Sequence, residues 1–248
     1  GNVYGGGMLA AVDGTTTVNI SGNAVIAGNV FGAAQGITND VSIKTIPHTS
    51  TPYLLHTPEN ATLFGLVNGN TVVKTSGNPS VNGDIYGGAE SAITNGSTSI
   101  TLNGCTLNGN IYGGGLGALT GGTSATTATD AQVTASADIK GTTYIKVDKV
   151  DYASSSNDYY LYGGGNMASK VEGKTEIIVN DCTTKGQMSV YGGGYGTMAP
   201  VSDTYITVND FTTKEGDYGL ATIFGGGNAG PVSGGSTISL NGGQVFGD

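Results

Sequence analysis

Apolar and polar residues alternate along this chain in runs of only a few positions. Ser97-Thr98-Ser99-Ile100-Thr101-Leu102-Asn103-Gly104 is representative. Such a period of two predicts a half-buried strand, and the Asn-Gly pair that follows predicts a turn, since both residues tolerate positive φ. The same strand recurs over Thr16 to Ile20, Thr143 to Val147, Thr175 to Val179, Thr204 to Val208 and Thr237 to Leu240. A second short strand is predicted around Val12, Ile37, Val171, Val201 and Val232, and a third where a hydrophobic-aromatic pair precedes a glycine run. Each unit thus holds three short strands joined by turns.

The aromatic-glycine mark itself recurs at Tyr4, Phe31, Phe64, Tyr86, Tyr112, Tyr162, Tyr191, Phe224 and Phe246, as Tyr-Gly-Gly-Gly at four of them and Phe-Gly-Gly-Gly at a fifth. The intervals are 27, 33, 22, 26, 50, 29, 33 and 22 residues. A fixed mark at variable spacing predicts one structural unit stacked on copies of itself, with extra residues bulging out at turns. The pattern predicts an all-β right-handed parallel β-helix, a solenoid of about eight coils, as one domain over residues 1–248. Loop excursions are expected near 47–60, 120–138 and 151–160, where prolines, a Thr/Ala/Gly tract and a Ser-rich segment interrupt the rhythm. Glycine fits a corner where coils stack closely. The nine aromatics read as a structural ladder, with a sugar-binding stripe as the alternative.

Composition narrows the function classes. The 45 glycines disfavour helices. The nine basic residues are all lysines, and 18 acidic residues bring the net charge to -9. That excludes the Arg/Lys clusters with which proteins meet nucleic acid, and it argues against an anionic membrane surface. No apolar run is long enough for a spanning helix, so no membrane insertion is expected in this segment. The arginine-free, Thr/Asn/Ser-rich surface reads as extracellular. Without an initiating methionine or signal peptide, the chain reads as a piece of a longer protein.

Cys105 follows Leu102-Asn103-Gly104 and Cys182 follows Val179-Asn180-Asp181, in a column shared with Ile46, Val150 and Phe211. With one coil between them they should be about 10 Å apart, too far for a disulfide, and are expected as buried free thiols. His48 and His56 lie in a proline-rich stretch and read as exposed loop residues. No metal site and no cofactor is predicted, and no catalytic residue stands out. The one candidate ligand site is Asp151, Tyr152, Asp158, Tyr159 and Tyr160, where ring faces and carboxylates suit sugar C–H surfaces and hydroxyls.

The Tyr-Gly-Gly-Gly units resemble the parallel β-helix repeats of large bacterial cell-surface proteins of adhesin or autotransporter-passenger type. That resemblance spans almost the whole chain and implies a secreted or wall-associated protein. The expected function is a non-catalytic structural or adhesive scaffold, with a glycan or host-surface ligand and end-to-end self-association as its partners. Both chain ends cut near the same anchor, which is the reason to expect stacking or continuation. The alternative is a β-helix polysaccharide lyase or glycoside hydrolase, for which Asp138, Asp148 and Asp181 are the acids to consider. A remote alternative is an ice-binding surface built on Thr15-Thr16-Thr17, Thr142-Thr143, Thr183-Thr184 and Thr212-Thr213.

Overall fold

A computed structural model describes residues 1–37, 44–45, 52–53, 64–154, 158–211 and 219–246. The fold is all-β, with a single 3-10 turn at Asp130–Gln132 among the described residues. Two long parallel sheets run through it. Sheet 1 has seven strands, each ending on an aromatic: Val3–Tyr4, Val30–Phe31, Ile85–Tyr86, Ile111–Tyr112, Tyr159–Tyr162, Gln187–Tyr191 and Gly219–Phe224. Sheet 2 is built on Thr16–Gly22, Thr71–Gly77, Thr98–Leu107, Thr143–Tyr152, Thr175–Asn180, Thr204–Val208 and Ser236–Leu240. These define rows 1 to 7. Parallel neighbours need a crossover, and here each crossover passes through the other sheet.

A third line of contact consists of single bridges rather than strands, from Val12 through Val67, Thr94 and Ile139 to Val171 and from Val201 to Val232, with the Val171 amide donating to the Pro200 carbonyl between them. The expected position Ile37 is replaced there by Val67. Seven rows form rather than about eight, because Phe64 starts no row. Phe31 pairs directly with Tyr86, so residues 32–84 belong to one row with a long insertion. Length explains this. In rows 1 and 3 the strand threonine follows the first glycine by 11 residues (Gly5 to Thr16, Gly87 to Thr98), whereas Gly65 precedes Thr71 by only six.

The core between the sheets is aliphatic. Val30, Ile85, Ile111, Leu161 and Val190 from sheet 1 meet Ile100, Leu102, Ile145, Val147, Ile177 and Val179 from sheet 2. The aromatics that follow on sheet 1 point the other way, into a separate cluster with Phe31, Tyr86, Tyr112 and Tyr162 at its centre. Seven rings (Tyr4, Phe31, Tyr86, Tyr112, Tyr162, Tyr191 and Phe224) stack at centroid distances of 4.8 to 5.1 Å. That spacing is the interstrand distance. Phe64 is bypassed, and Phe246 misses the column. Val245 bridges Leu220 and the Phe246 amide donates to the Leu220 carbonyl, which sets Phe246 beside Ala221, three positions short of Phe224.

Rows are held to one another at the glycine corner. The hydroxyls of Thr16, Thr71, Thr98, Thr143, Thr175 and Thr204 donate to the carbonyls of Gly32, Gly87, Gly113, Gly163, Gly192 and Gly225 in the next row, at 2.5 to 2.6 Å. The threonines are buried, so a lost partner would leave a desolvated carbonyl. The same carbonyl forces glycine in the row before. A Cβ on Gly113 would stand 2.2 Å from the Gly163 oxygen, and one on Gly87 2.3 Å from the Gly113 oxygen.

Sheet 2 turns a corner without ending. Gly104 (φ 68°), Lys149 (φ 53°) and Asp181 (φ 44°) take left-handed backbone at one level. Each shifts the in-out alternation by one, so that Cys105 and Leu107, Val150 and Tyr152, and Cys182 and Thr184 face inward. The strand expected to stop at Asn103-Gly104 therefore runs on to Leu107. The expected column is in place, with Cys105 paired to Val150 and Cys182 bridged to Phe211. Both thiols are free and buried. Ile46 lies outside the described residues.

The expected excursion at 120–138 is not open. Ala118–Leu119 pairs antiparallel with Val133–Ala135, and the hydroxyl of Thr197 donates to the carbonyl of Ala128 (2.5 Å), pinning the insertion to row 6. In the excursion at 47–60 only Pro52–Tyr53 is described, pairing with Lys44–Thr45; His48 and His56 lie outside the described residues.

Two substitutions measure the corner. Thr143→Val, which keeps shape and removes the donor to Gly163, is expected to lower unfolding free energy by about 1–3 kcal/mol in urea titrations. Gly113→Ala should abolish cooperative folding or cost more than about 4 kcal/mol. Gly121→Ala, in a position with nothing within 4 Å, should be neutral.

Candidate functional site

The strand continuation decides the fate of the residues at 151–160. Tyr152 pairs with Leu107 and Thr184 and faces the core. Tyr159 is equally buried, with its ring 4.9 Å from that of Tyr152. Neither ring face is open to a ligand, which corrects their assignment as contact residues. Tyr152 is buried because the left-handed Lys149 turns position 152 inward, and Tyr159 because it lies two positions before Leu161, on the same core-facing side of sheet 1. The sequence carried a signal for it: aligning Val150 with Cys105 places Tyr152 on Leu107.

The remaining three residues are dispersed. Asp151 is exposed and accepts a hydrogen bond from the Thr183 hydroxyl at 3.1 Å. Asp158 is exposed. Tyr160 is half-buried; its amide donates to Asn110 Oδ1 at 3.0 Å and its ring lies 6.1 Å from that of Tyr162. These contacts tie row 5 to row 4 and to the turn that leads into it.

The ladder offers no stripe for sugars either, because each inner ring has its faces against its neighbours. The hydroxyls of Tyr4 and Tyr86 are engaged along the edge. Tyr4 donates to Glu90, Tyr86 donates to Asp84 at 3.1 Å, and Asn166 donates to Tyr86 at 3.1 Å. Burial pushes the Tyr86, Tyr112 and Tyr162 phenols well above their ordinary range, with the nearby Asp84 carboxylate adding to the effect at the first two. Burial also raises the thiol of Cys105 to about 11 and that of Cys182 to about 12. Thiols so protonated and enclosed are inert. The threonines read as an ice-binding plane are turned inward at Thr16, Thr143 and Thr184; Thr212 and Thr213 lie outside the described residues.

Concave surface lies between the third line of bridges and the docked insertion. One hollow of about 450 Å³ is lined by Asp130, Val133, Ser136, Asp138, Lys170 and Met198, with Ala168 and Pro200 at its floor. A second, of about 560 Å³, shares Lys170 and Pro200 and continues past Glu172, Ser202 and Ser233. Asp138 Oδ1 accepts from the Lys170 amide at 3.0 Å. Burial raises the Asp138 carboxyl, opposed by that hydrogen bond and by the Lys140 and Lys170 charges. Glu172 is held below its usual range, chiefly by its hydrogen bond from Lys140 at 2.9 Å, with Lys170 a further 3.7 Å away. The hollows therefore combine carboxylates, the Lys170 ammonium and serine hydroxyls with apolar side chains, a set that can exchange hydrogen bonds with a polyhydroxylated ligand.

Asp138 thus stands on the third line, while Asp148 sits on sheet 2 beside Lys146 at 4.0 Å and Asp181 at the sheet 2 corner. The three acids share no element. Among the described residues no group of three His, Cys, Asp or Glu could hold a metal ion, and no helix is long and apolar enough to cross a membrane. The sequence marks Asp138 only as an acid of the enzyme alternative, and it leaves Asp130, Lys170 and Glu172 unmarked. The signal for Asp138, Lys170 and Glu172 is the charge on either side of an aligned apolar residue, Asp138-Ile139-Lys140 above Lys170-Val171-Glu172.

No family model, curated protein or solved structure matches the chain.

Three measurements check these environments. Thiol reagents should leave both cysteines untouched in the native protein and titrate two per chain after denaturation. Tyr152→Phe should hold or raise stability by up to about 1 kcal/mol, since the Tyr152 hydroxyl is buried without a partner and its desolvation is unrecovered. Below about pH 10 the phenols are protonated in both states and contribute no pH dependence. As pH rises further the unfolded chain loses protons first, so the urea midpoint should fall steeply above pH 10. An unchanged midpoint would contradict the buried ladder.

Proposed function

We propose that the chain winds as a right-handed parallel β-helix of seven coils, one repeat domain spanning the sequence, and serves as a non-catalytic extracellular scaffold of structural and adhesive type. The observation that carries the reading is how the reactive and recognition-capable groups are used. Inner ring faces, thiols and strand threonines all serve contacts between rows. The groove built where an insertion docks leaves charged and hydroxyl side chains open to a partner. The right hand follows the general preference of crossovers between parallel strands. The likeness of the Tyr-Gly-Gly-Gly units to bacterial surface repeats supports the same localisation.

The adhesive part places its ligand, a glycan or host-surface saccharide, in the groove of Asp138 and Lys170 rather than at 151–160. Loops on a rigid stack are where binding is usually carried. A second reading, a polysaccharide lyase or glycoside hydrolase, draws on one observation: Asp130 and Asp138 line the same hollow as Lys170.

A glycan array with wild type, Asp138→Asn and Lys170→Ala separates the two. The scaffold reading expects retention on at least one saccharide class, about tenfold weaker in either variant (about 1.4 kcal/mol), with no new reducing ends released from polysaccharides. Release of reducing ends that disappears in Asp138→Asn would replace it with the enzyme. Retention that neither variant alters would remove the groove from the proposal.

A further inference from the structure

Stacking accepts either ring, as Phe31 against Tyr86 shows, so something else decides which members of the ladder carry a hydroxyl. Gln35, Glu90, Leu116, Asn166 and Tyr195 stand four positions after Phe31, Tyr86, Tyr112, Tyr162 and Tyr191. Bridges between rows align these five in one column. Asn228 holds the same offset from Phe224. The column flanks the rings: Leu116 and Tyr195 pack against the ring cluster, and Asn166 is only 7 % exposed.

The hydrogen bonds that this column makes to the ladder go neither to its own row nor to the adjacent one. Glu90, in row 3, accepts from the Tyr4 hydroxyl in row 1. The Asn166 side chain, in row 5, donates to the Tyr86 hydroxyl in row 3 at 3.1 Å. The Asn228 side chain, in row 7, donates to the Tyr162 hydroxyl in row 5 at 3.5 Å. Each bond passes over one intervening row. A phenol has one proton to give, and the first two of these hydroxyls each have one donor and one acceptor. Tyr4 receives from Asn2 Nδ2 at 3.2 Å and gives to Glu90. Tyr86 receives from Asn166 and gives to Asp84 at 3.1 Å. The acceptor has changed sides. Asp84 is the one acid in a column with Asn2, Asn29 and Asn110, each holding a backbone amide of the next row.

Polarity is matched at the two-row offset and at no shorter one. At two rows Tyr4 goes with Glu90, Phe31 with Leu116, Tyr86 with Asn166, Tyr112 with Tyr195 and Tyr162 with Asn228. The one ring without a hydroxyl falls to the one aliphatic residue. At one row Phe31 would go with Glu90 and Tyr86 with Leu116. Within a row Phe31 would go with Gln35 and Tyr112 with Leu116.

We infer that the ladder hydroxyls are straps, each tying its row to the second row beyond, and that the residue four after one aromatic sets whether the aromatic two rows earlier is tyrosine or phenylalanine. A stack of repeats is ordinarily held by nearest-neighbour contacts; the straps add a bond between rows that share no β-pairing. They also count rows. If Phe64 began a row of its own, Glu90 would fall two rows from Phe31, whose ring has no hydroxyl to give. Glu90 would also lose its place beside Gln35, which donates to it at 3.0 Å in the stack observed. A half-buried carboxylate without donors is costly, so the straps favour skipping Phe64 in addition to the short path from Gly65 to Thr71. The device belongs to the shaft and holds with or without a ligand in the groove.

Double-mutant cycles in urea unfolding are the test. Tyr86→Phe strands the buried Asn166 amide and should raise the unfolding constant about tenfold (about 1.4 kcal/mol). In an Asn166→Leu background, which copies the natural pair of Phe31 and Leu116, the same change should raise it less than about threefold. A second cycle installs a strap. Phe31→Tyr buries an unpaired hydroxyl and should also cost about tenfold, and adding Leu116→Asn should recover most of the loss. The control is Tyr112→Phe, one row from Asn166, whose cost should be the same with and without Asn166→Leu to within about twofold. Additive costs in the first cycle overturn the inference, and so does a control coupled as strongly. Failure of Leu116→Asn to rescue Phe31→Tyr overturns the rule for choosing the ring. Tyr4→Phe with Glu90→Leu replaces the first cycle should Tyr86→Phe not fold.

Discussion

Everything in this fold depends on how closely one row can approach the next at the glycine corner. The first glycine of each run lies under the carbonyl of the glycine in the next row, at a distance no Cβ permits. That carbonyl is taken up by the threonine hydroxyl of the lower row. The contact is steric on one side and hydrogen-bonded on the other, and both halves repeat at the interstrand spacing. The rings then stack because the backbone beneath them is already at 4.8 to 5.1 Å. Each inner ring thereby keeps its neighbours' faces out of water, and tyrosine and phenylalanine interchange because stacking needs the ring and not the hydroxyl.

The same economy explains why chemistry is sparse along the shaft. Inward positions hold aliphatics and protonated thiols. The outer ladder holds phenols raised by burial. Asparagine side chains cap or join successive rows, as in the run from Asn241 to Asn209 to Asn180 at 2.8 Å per step. Groups so committed are unavailable to a ligand. Departures from the rhythm are where something else becomes possible, and the insertion at 118–135 makes the groove that holds Asp130, Asp138 and Lys170. The insertion costs the stack little, since it leaves and re-enters at a turn while the rows on either side stay in register.

How much of this was legible follows from the physics of each element. Strands such as Thr98 to Leu102 and Thr175 to Val179 are readable because a half-buried strand forces alternation. The aromatic column is readable because its mark recurs. The column of Cys105, Val150 and Phe211 is readable because equivalent offsets from a shared strand land on one level. Phe64 misled because its local mark matches the others; only the six-residue gap to Thr71, too short for the path from glycine corner to sheet 2, sets it apart. Tyr152 misled because a single left-handed residue, Lys149, inverts the alternation, and lysine carries no local sign of that conformation; Tyr159 misled because a Ser-rich stretch reads as loop up to the short strand Tyr159–Tyr162.

The sequence by itself determined an all-β chain of repeating short strands, the positions of its glycine corners and the inward face of most strands. These are set within a few residues, by side-chain period and by the absence of a Cβ. Tertiary structure alone decided that seven rows register rather than about eight, that Tyr152 and Tyr159 are core, and that acids from two rows and Lys170 meet along one groove. Those outcomes depend on which residues come level after insertions of different length, and that is settled only when one row is laid against the next.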